Sequence, residues 1–307
     1  MTQPGAGTGL RMVAAWSVVY LVWGSTFLAI RIAVADLPPA MLAGVRFILA
    51  GLALGSLALA RGQKIPTTLR QWRVCAIMGL ALIVIGNGLV TWAEQWVPSN
   101  QAALIIASSA LWTAWFGTFG PRGIALSGAT RAGLVLGLAG VAMLVWPSSD
   151  VQAAPGGDLL WPKLAVLVST LAWSGGVIYG RNAGTDLPPL MFAAAQMLVG
   201  GSVLTFIGLA RGEIYLWQWT LPGIGGLLYL TVFGSCLAYA TYIWLIGQTT
   251  PARLSTIAYV NPAVATVLGW WLLDETLGPL QLGGMMVVLA AVVWVSVSGR
   301  TRPARTR

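Results

Sequence analysis

Ten apolar runs, each about as long as a lipid bilayer is thick, leave this chain little choice of solvent. A transmembrane helix needs ~20 mostly apolar residues. The runs fall at 13–34, 40–60, 74–95, 98–118, 131–147, 162–181, 188–209, 222–246, 252–273 and 278–298. Pro and Gly mark the joins at Pro38-Pro39, Pro98, Pro121, Pro147, 155–157, Pro188-Pro189, Pro251 and Gly278-Pro279. The uncharged stretch 214–252 is read as a Trp-rich surface segment and then one span, because Leu221-Pro222-Gly223 supplies a turn near its start. Charged residues are 8% of the chain, against roughly 25% in a soluble domain. Backbone groups in lipid must be satisfied within the segment, so the spans are expected to be helices and the protein an all-α membrane protein.

The net charge of +9 is placed for a membrane, not for nucleic acid. If ten spans alternate, Arg11, Arg61, Lys64, Arg70, Arg73, Arg122, Arg131, Arg181, Arg253 and the four arginines of the tail lie on one side. The other side holds Arg31, Lys163 and Arg211. Positive loops stay inside, so both termini are expected in the cytoplasm and the protein in a cell inner membrane. Residues 12–30 are uncharged and too long for the core of a cleavable leader. Cys75 and Cys236 sit in apolar runs without metal-ligand spacing and read as small buried side chains.

The chain repeats itself. Asp36-Leu37-Pro38-Pro39 recurs as Asp186-Leu187-Pro188-Pro189. In the same register Trp23 matches Trp173, Arg31 matches Arg181, and Ala60-Arg61-Gly62 matches Ala210-Arg211-Gly212. Gln71-Trp72 and Gln218-Trp219, and Pro98 and Pro251, match with small shifts. The halves are 13–147 and 162–298, five spans each. An odd number of spans makes the second half enter from the opposite side. Inverted repeats of this kind build transporters with a midplane site and two oppositely facing states.

A second set of residues, sharing Trp23 with the repeat, carries a resemblance. Trp23-Gly24-Ser25-Thr26-Phe27, Gly44-Val45-Arg46-Phe47, Gly86-Asn87-Gly88 with Glu94-Gln95, and Tyr259-Val260-Asn261-Pro262-Ala263 with Asp274-Glu275-Thr276-Leu277 resemble the drug/metabolite transporter superfamily. The likeness is to its ten-helix members with two EamA domains, and it covers about 13–298. It implies export of amino acids, aromatic ones included, or of drug-like cations. It also implies that helices one, three, four, six, eight and nine surround a central cavity.

Catalysis finds no support in the residues. The chain has no His, no nucleophile elbow and no pair of mid-membrane carboxylates, so no enzyme is expected, and neither a cofactor nor a metal site. Ionisable side chains inside a membrane are functional candidates. Arg46 and Glu94 are the two to weigh, either as an ion pair that fixes packing or as a gate. Aromatic and polar residues at helical spacing form the proposed substrate faces. Tyr20 and Trp23 share a face of the first helix, Trp112 and Trp115 one of the fourth, and Tyr239 and Tyr242 one of the eighth. Trp173, Asn87 and Asn261 complete the set. Pro262 cannot donate to its own helix and permits a kink. The reading is a secondary exporter of small amphipathic metabolites, compatible with a monomer in the lipid bilayer. The alternative is a non-transport membrane protein, such as a scaffold or a lipid flippase subunit.

Overall fold

The computed structural model describes residues 6–121, 123, 125–146, 160–249, 251–254 and 256–298. Pro147, the 155–157 turn and the basic tail 300–307 lie outside them. Every regular element among the described residues is helical. In chain order these are α1 Ala6–Ala33, α2 Pro39–Ala60, α3 Leu69–Ala93, α4 Ser99–Ala107, α5 Ser109–Phe116 and α6 Gly128–Val145. There follow α7 Leu160–Ala183, α8 Pro189–Ala210, α9 Leu221–Ile246, α10 Ile257–Leu273 and α11 Pro279–Ser298. Eight of them, α1 to α3, α6 to α9 and α11, are long and apolar enough to cross a bilayer, and α10 is a shorter apolar helix.

Local chemistry sets the boundaries. Pro39 and Pro189 open α2 and α8, where a missing N–H costs nothing. Gly62 and Gly212 follow the ends of the same helices at φ of 70° and 71°, a conformation that disfavours any other residue. The third helix begins at Leu69, not at 74, because Thr68 and Gln71 form a reciprocal capping box that draws Arg70 and Arg73 into the first turns. Thr220 caps α9 by accepting from the Gly223 amide, which makes 214–220 a surface segment and the rest one helix. The expected span 98–118 is divided at Ser108, whose hydroxyl donates to the Ile105 carbonyl. The expected span 252–273 is a short turn, Pro251–Leu254, followed by α10.

Two helices change their winding mid-course. Gly79–Asn87 in α3 and Leu230–Leu237 in α9 are π-helical. The wider turn shifts the face that later side chains present, and such segments cluster at functional sites.

Small residues let the helices touch. α2 packs along α8 in antiparallel sense: Gly44 meets Thr205, Gly51 meets Leu198 and Gly201 meets Ile48. α6 packs along α11 in the same way, with Gly140 against Val287 and Val288 and Gly133 against Val295. α1 lies against α9 and α10, α4 against α10, and α7 against α3 and α5. Polar caps tie the helices across the sequence. The Met41 amide at the start of α2 donates to Glu213 at 2.9 Å, and the Met191 amide at the start of α8 donates to Gln63 at 3.3 Å. Glu275, behind α10, accepts from the Ser99 amide and hydroxyl at 2.8 Å each and from the Asn100 amide at 3.0 Å. It thus caps α4.

Candidate functional site

The π-helical stretch of α9 gathers the most chemistry. The Trp23 indole on α1 donates to the Gly234 carbonyl at 3.1 Å. Its ring meets Tyr239 edge-on at 6.5 Å between centroids and Tyr242 at 5.0 Å. One residue along, the Ser235 hydroxyl accepts from Nε of Arg46 on α2 at 2.9 Å. The Arg46 guanidinium also lies over the Phe47 ring, 4.6 Å from its centroid. Gly234 keeps room here, since a Cβ added to it would sit 3.0 Å from Cγ2 of Thr26 and 3.4 Å from Nη2 of Arg46. Gly234 and Ser235 therefore join the aromatic group of α1 and α9 to the buried cation of α2. Tyr20, one turn before Trp23, bonds through its hydroxyl to Thr256 and stacks on Trp16.

Glu94 follows the last turn of α3 and is 0% exposed. Neither of its carboxylate oxygens has a hydrogen-bond partner among the described residues. Arg31 of α1 donates to the Glu94 main-chain carbonyl instead. No ion pair joins Arg46 to Glu94; among the described residues the ion pair is Arg211 with Glu213, at 3.7 Å. The direct pairing weighed from sequence is thus absent, and Ser235 takes the Arg46 hydrogen bond. A cavity of about 810 Å³ opens beside this cluster, lined among others by Arg31, Gln95, Asp36 and Glu275.

The other sequence candidates are placed apart from this group. Trp112 donates to Ser108 within its own segment at 3.2 Å. It continues through Trp115 to Phe116 and Phe119, a separate aromatic row in which Trp115 is 45% exposed. Asn87 spends its amide on the Leu82 carbonyl five residues back, inside the π-helical turn, at 2.9 Å. Trp173 packs on the core of α2, α3 and α8, close to Gly86. Asn261 lies next to the buried Pro262 in α10, and its side-chain oxygen lacks a partner. Asn100 and Gln101 at the start of α4 are buried without side-chain partners. Sequence spacing missed them, because polar residues beside a Pro read as a surface turn.

A bundle of bilayer-length apolar helices, with aromatic and charged side chains gathered inside it and a cavity lined by Arg31, Asp36 and Glu275, defines a membrane protein built to handle small molecules. The chain belongs to the EamA-like transporter family, whose pattern it matches at residues 11–146 and again at 160–297. The expectation of the drug/metabolite superfamily holds, and family membership makes this a transporter and not an enzyme. The chain is 38% identical to the uncharacterized inner membrane transporter YedA of Escherichia coli K12, over 96% of this chain and 94% of that one. It is 24% identical to the probable amino-acid metabolite efflux pump of the same organism, over 92% and 93%. One solved crystal structure shares the fold with a TM-score of 0.60 at 19% identity, covering 95% of this chain and 96% of its own.

Proposed function

We propose that the protein is a secondary exporter of small amphipathic metabolites, foremost amino acids including aromatic ones, working by alternating access across the inner membrane. The observation that carries this is the coupling of Trp23, Tyr239 and Tyr242 to Arg46 through Gly234 and Ser235. Aromatic faces beside a buried cation suit a substrate with an apolar ring and a polar head. The likeness to a probable amino-acid metabolite efflux pump points the same way.

Alternating access needs two exchangeable halves, proposed at 13–147 and 162–298 with ten spans in inverted orientation. The contacts support this reading. Glu213 with Met41 and Gln63 with Met191 are one contact seen twice, since residues 63 and 213, and 41 and 191, are equivalent in the sequence repeat. Gly51 with Leu198 and Gly201 with Ile48 form a second such couple. α2 and α8 run antiparallel, as inverted partners must. The basic loops favour cytoplasmic termini.

Cells overproducing the protein, grown on toxic aromatic amino-acid analogues and on cationic dyes, test the substrate class. Resistance to the analogues is the expected result. Resistance to the dyes alone, or to neither, contradicts the amino-acid reading.

A further inference from the structure

Two opposite charges lie deep in the bundle without meeting. Arg46 is 5% exposed and Glu94 0%, and no ion pair joins them. The charged groups within Coulombic reach of Glu94 are Arg31 from α1, Arg46 from α2 and Glu275 from behind α10. Two of these four are already committed. Glu275 is spent on the amides and hydroxyl that open α4. Arg31 is turned to the Glu94 main chain. What remains is the Glu94 carboxylate, with both oxygens unpartnered, and the outer edge of the Arg46 guanidinium, whose Nε alone is bound to Ser235.

We propose that Arg46 and Glu94 form a split recognition site for a zwitterion, the guanidinium taking the carboxylate and Glu94 taking the ammonium group of one α-amino acid. This rests on the transporter reading above and names the polar half of that site. A buried charge without a partner is costly, and removing one member of a buried pair is costlier still. With both acids ionised, Arg31 and Arg46 match Glu94 and Glu275 in number and the four carry no net charge. A zwitterion brings one charge of each sign and leaves the cluster neutral. A bare amine or a bare carboxylate leaves one protein charge without a partner. The guanidinium fork is suited to a carboxylate because it offers parallel N–H donors.

The apolar half adjoins. Gly234 holds the Trp23 indole by its carbonyl, and Ser235, next to it, holds Arg46. A side chain projecting from a substrate fixed at Arg46 meets Trp23, Tyr239 and Tyr242. The 810 Å³ cavity comes near on the Glu94 side, where Arg31 and Glu275 line it, and Glu94 and Arg46 are buried behind that lining.

Three ligands that differ only in their charges separate the claim from its rivals: phenylalanine, 2-phenylethylamine and 3-phenylpropionate. Binding to the purified full-length protein is measured for wild type, Arg46→Gln and Glu94→Gln. Wild type is expected to prefer phenylalanine over each of the other two by about tenfold or more, the scale of a hydrogen bond to a charged group. Arg46→Gln should lose its preference over the amine, and Glu94→Gln its preference over the acid. Arg46→Lys and Glu94→Asp, which keep the charge, should retain part of it and serve where a Gln variant does not fold. Wild-type preference surviving in both substituted sites overturns the split site and leaves the exporter reading standing. Failure of wild type to bind phenylalanine at all overturns both.

Discussion

Arg46 on α2 donates from Nε to the Ser235 hydroxyl of α9 at 2.9 Å, and this bond fastens a buried cation to the π-helical stretch of its neighbour. Ser235→Ala leaves that N–H without its acceptor. Hydrogen bonds to charged groups contribute about 1.5–3 kcal/mol, so the melting temperature in detergent should fall clearly. Arg46→Met combined with Ser235→Ala should cost less than the sum of the two single changes. Strict additivity across the cycle would say that the contact carries no energy.

The α2–α8 seam predicts a contrast between glycines. A Cβ on Gly44 would lie 2.6 Å from the Thr205 amide nitrogen and 2.9 Å from its Cα, main-chain atoms with nowhere to go. Gly44→Ala should therefore destabilise by about 1–3 kcal/mol, the usual cost of overpacking. Gly225 in α9 has no atom within 4 Å of its Cβ position. Gly225→Ala should be neutral or stabilise by about 0.5–1 kcal/mol through lower chain entropy. Thermal unfolding of the two variants checks this, and equal shifts would contradict the seam.

Much of this architecture is legible in the sequence, and the reason is the solvent. Lipid demands long apolar runs, and Pro39, Pro189, Gly62 and Gly212 mark helix ends by backbone chemistry that leaves few alternatives. Spacing puts Tyr20 with Trp23, and Tyr239 with Tyr242, each on one helix face; that Trp23 meets both tyrosines is visible only in the fold. What spacing misses depends on winding and on distant partners. The π-helical turns displace the 3.6-residue face, so Asn87 turns its amide back to Leu82. Arg46 finds Ser235, and Glu275 finds α4, across most of the chain length, which no local pattern encodes. The break at Ser108 has no Pro or Gly to announce it.

Glu94 is the acid to test for ion coupling. Glu213 is committed to Met41, Glu275 to Ser99 and Asn100, and Asp36 to Thr220. Asp186 is exposed, and the Gln71 amide bonded to it holds its carboxyl below the ordinary carboxylate range. Gradient-driven accumulation in proteoliposomes should vanish in Glu94→Gln, and downhill exchange should be weakened but still measurable at high substrate concentration. Accumulation that survives the change would place the coupling group elsewhere.

Orientation can be read in two loops that are equivalent in the repeat. Lys64 is exposed between α2 and α3, and Tyr215 is 90% exposed between α8 and α9. In a background without Cys75 and Cys236, Lys64→Cys should react with a membrane-impermeant thiol reagent only from the cytoplasm, and Tyr215→Cys only from outside. Labelling of both from one side would rule out inverted halves.

The central claim is that the aromatic group at α9 moves an amino acid. Counterflow of radiolabelled phenylalanine into proteoliposomes preloaded with the unlabelled amino acid tests it most directly. Wild type should accumulate label transiently. Trp23→Ala should slow entry several-fold, since an aromatic pair contributes about 0.5–1.5 kcal/mol beyond its buried area. Trp112→Ala, on the row beside Trp115, should slow it as well if that row belongs to the path. Trp219→Phe, at a side chain 83% exposed, should match wild type. Entry into wild-type vesicles no faster than into protein-free ones, or Trp23→Ala transporting as well as wild type, would contradict the account.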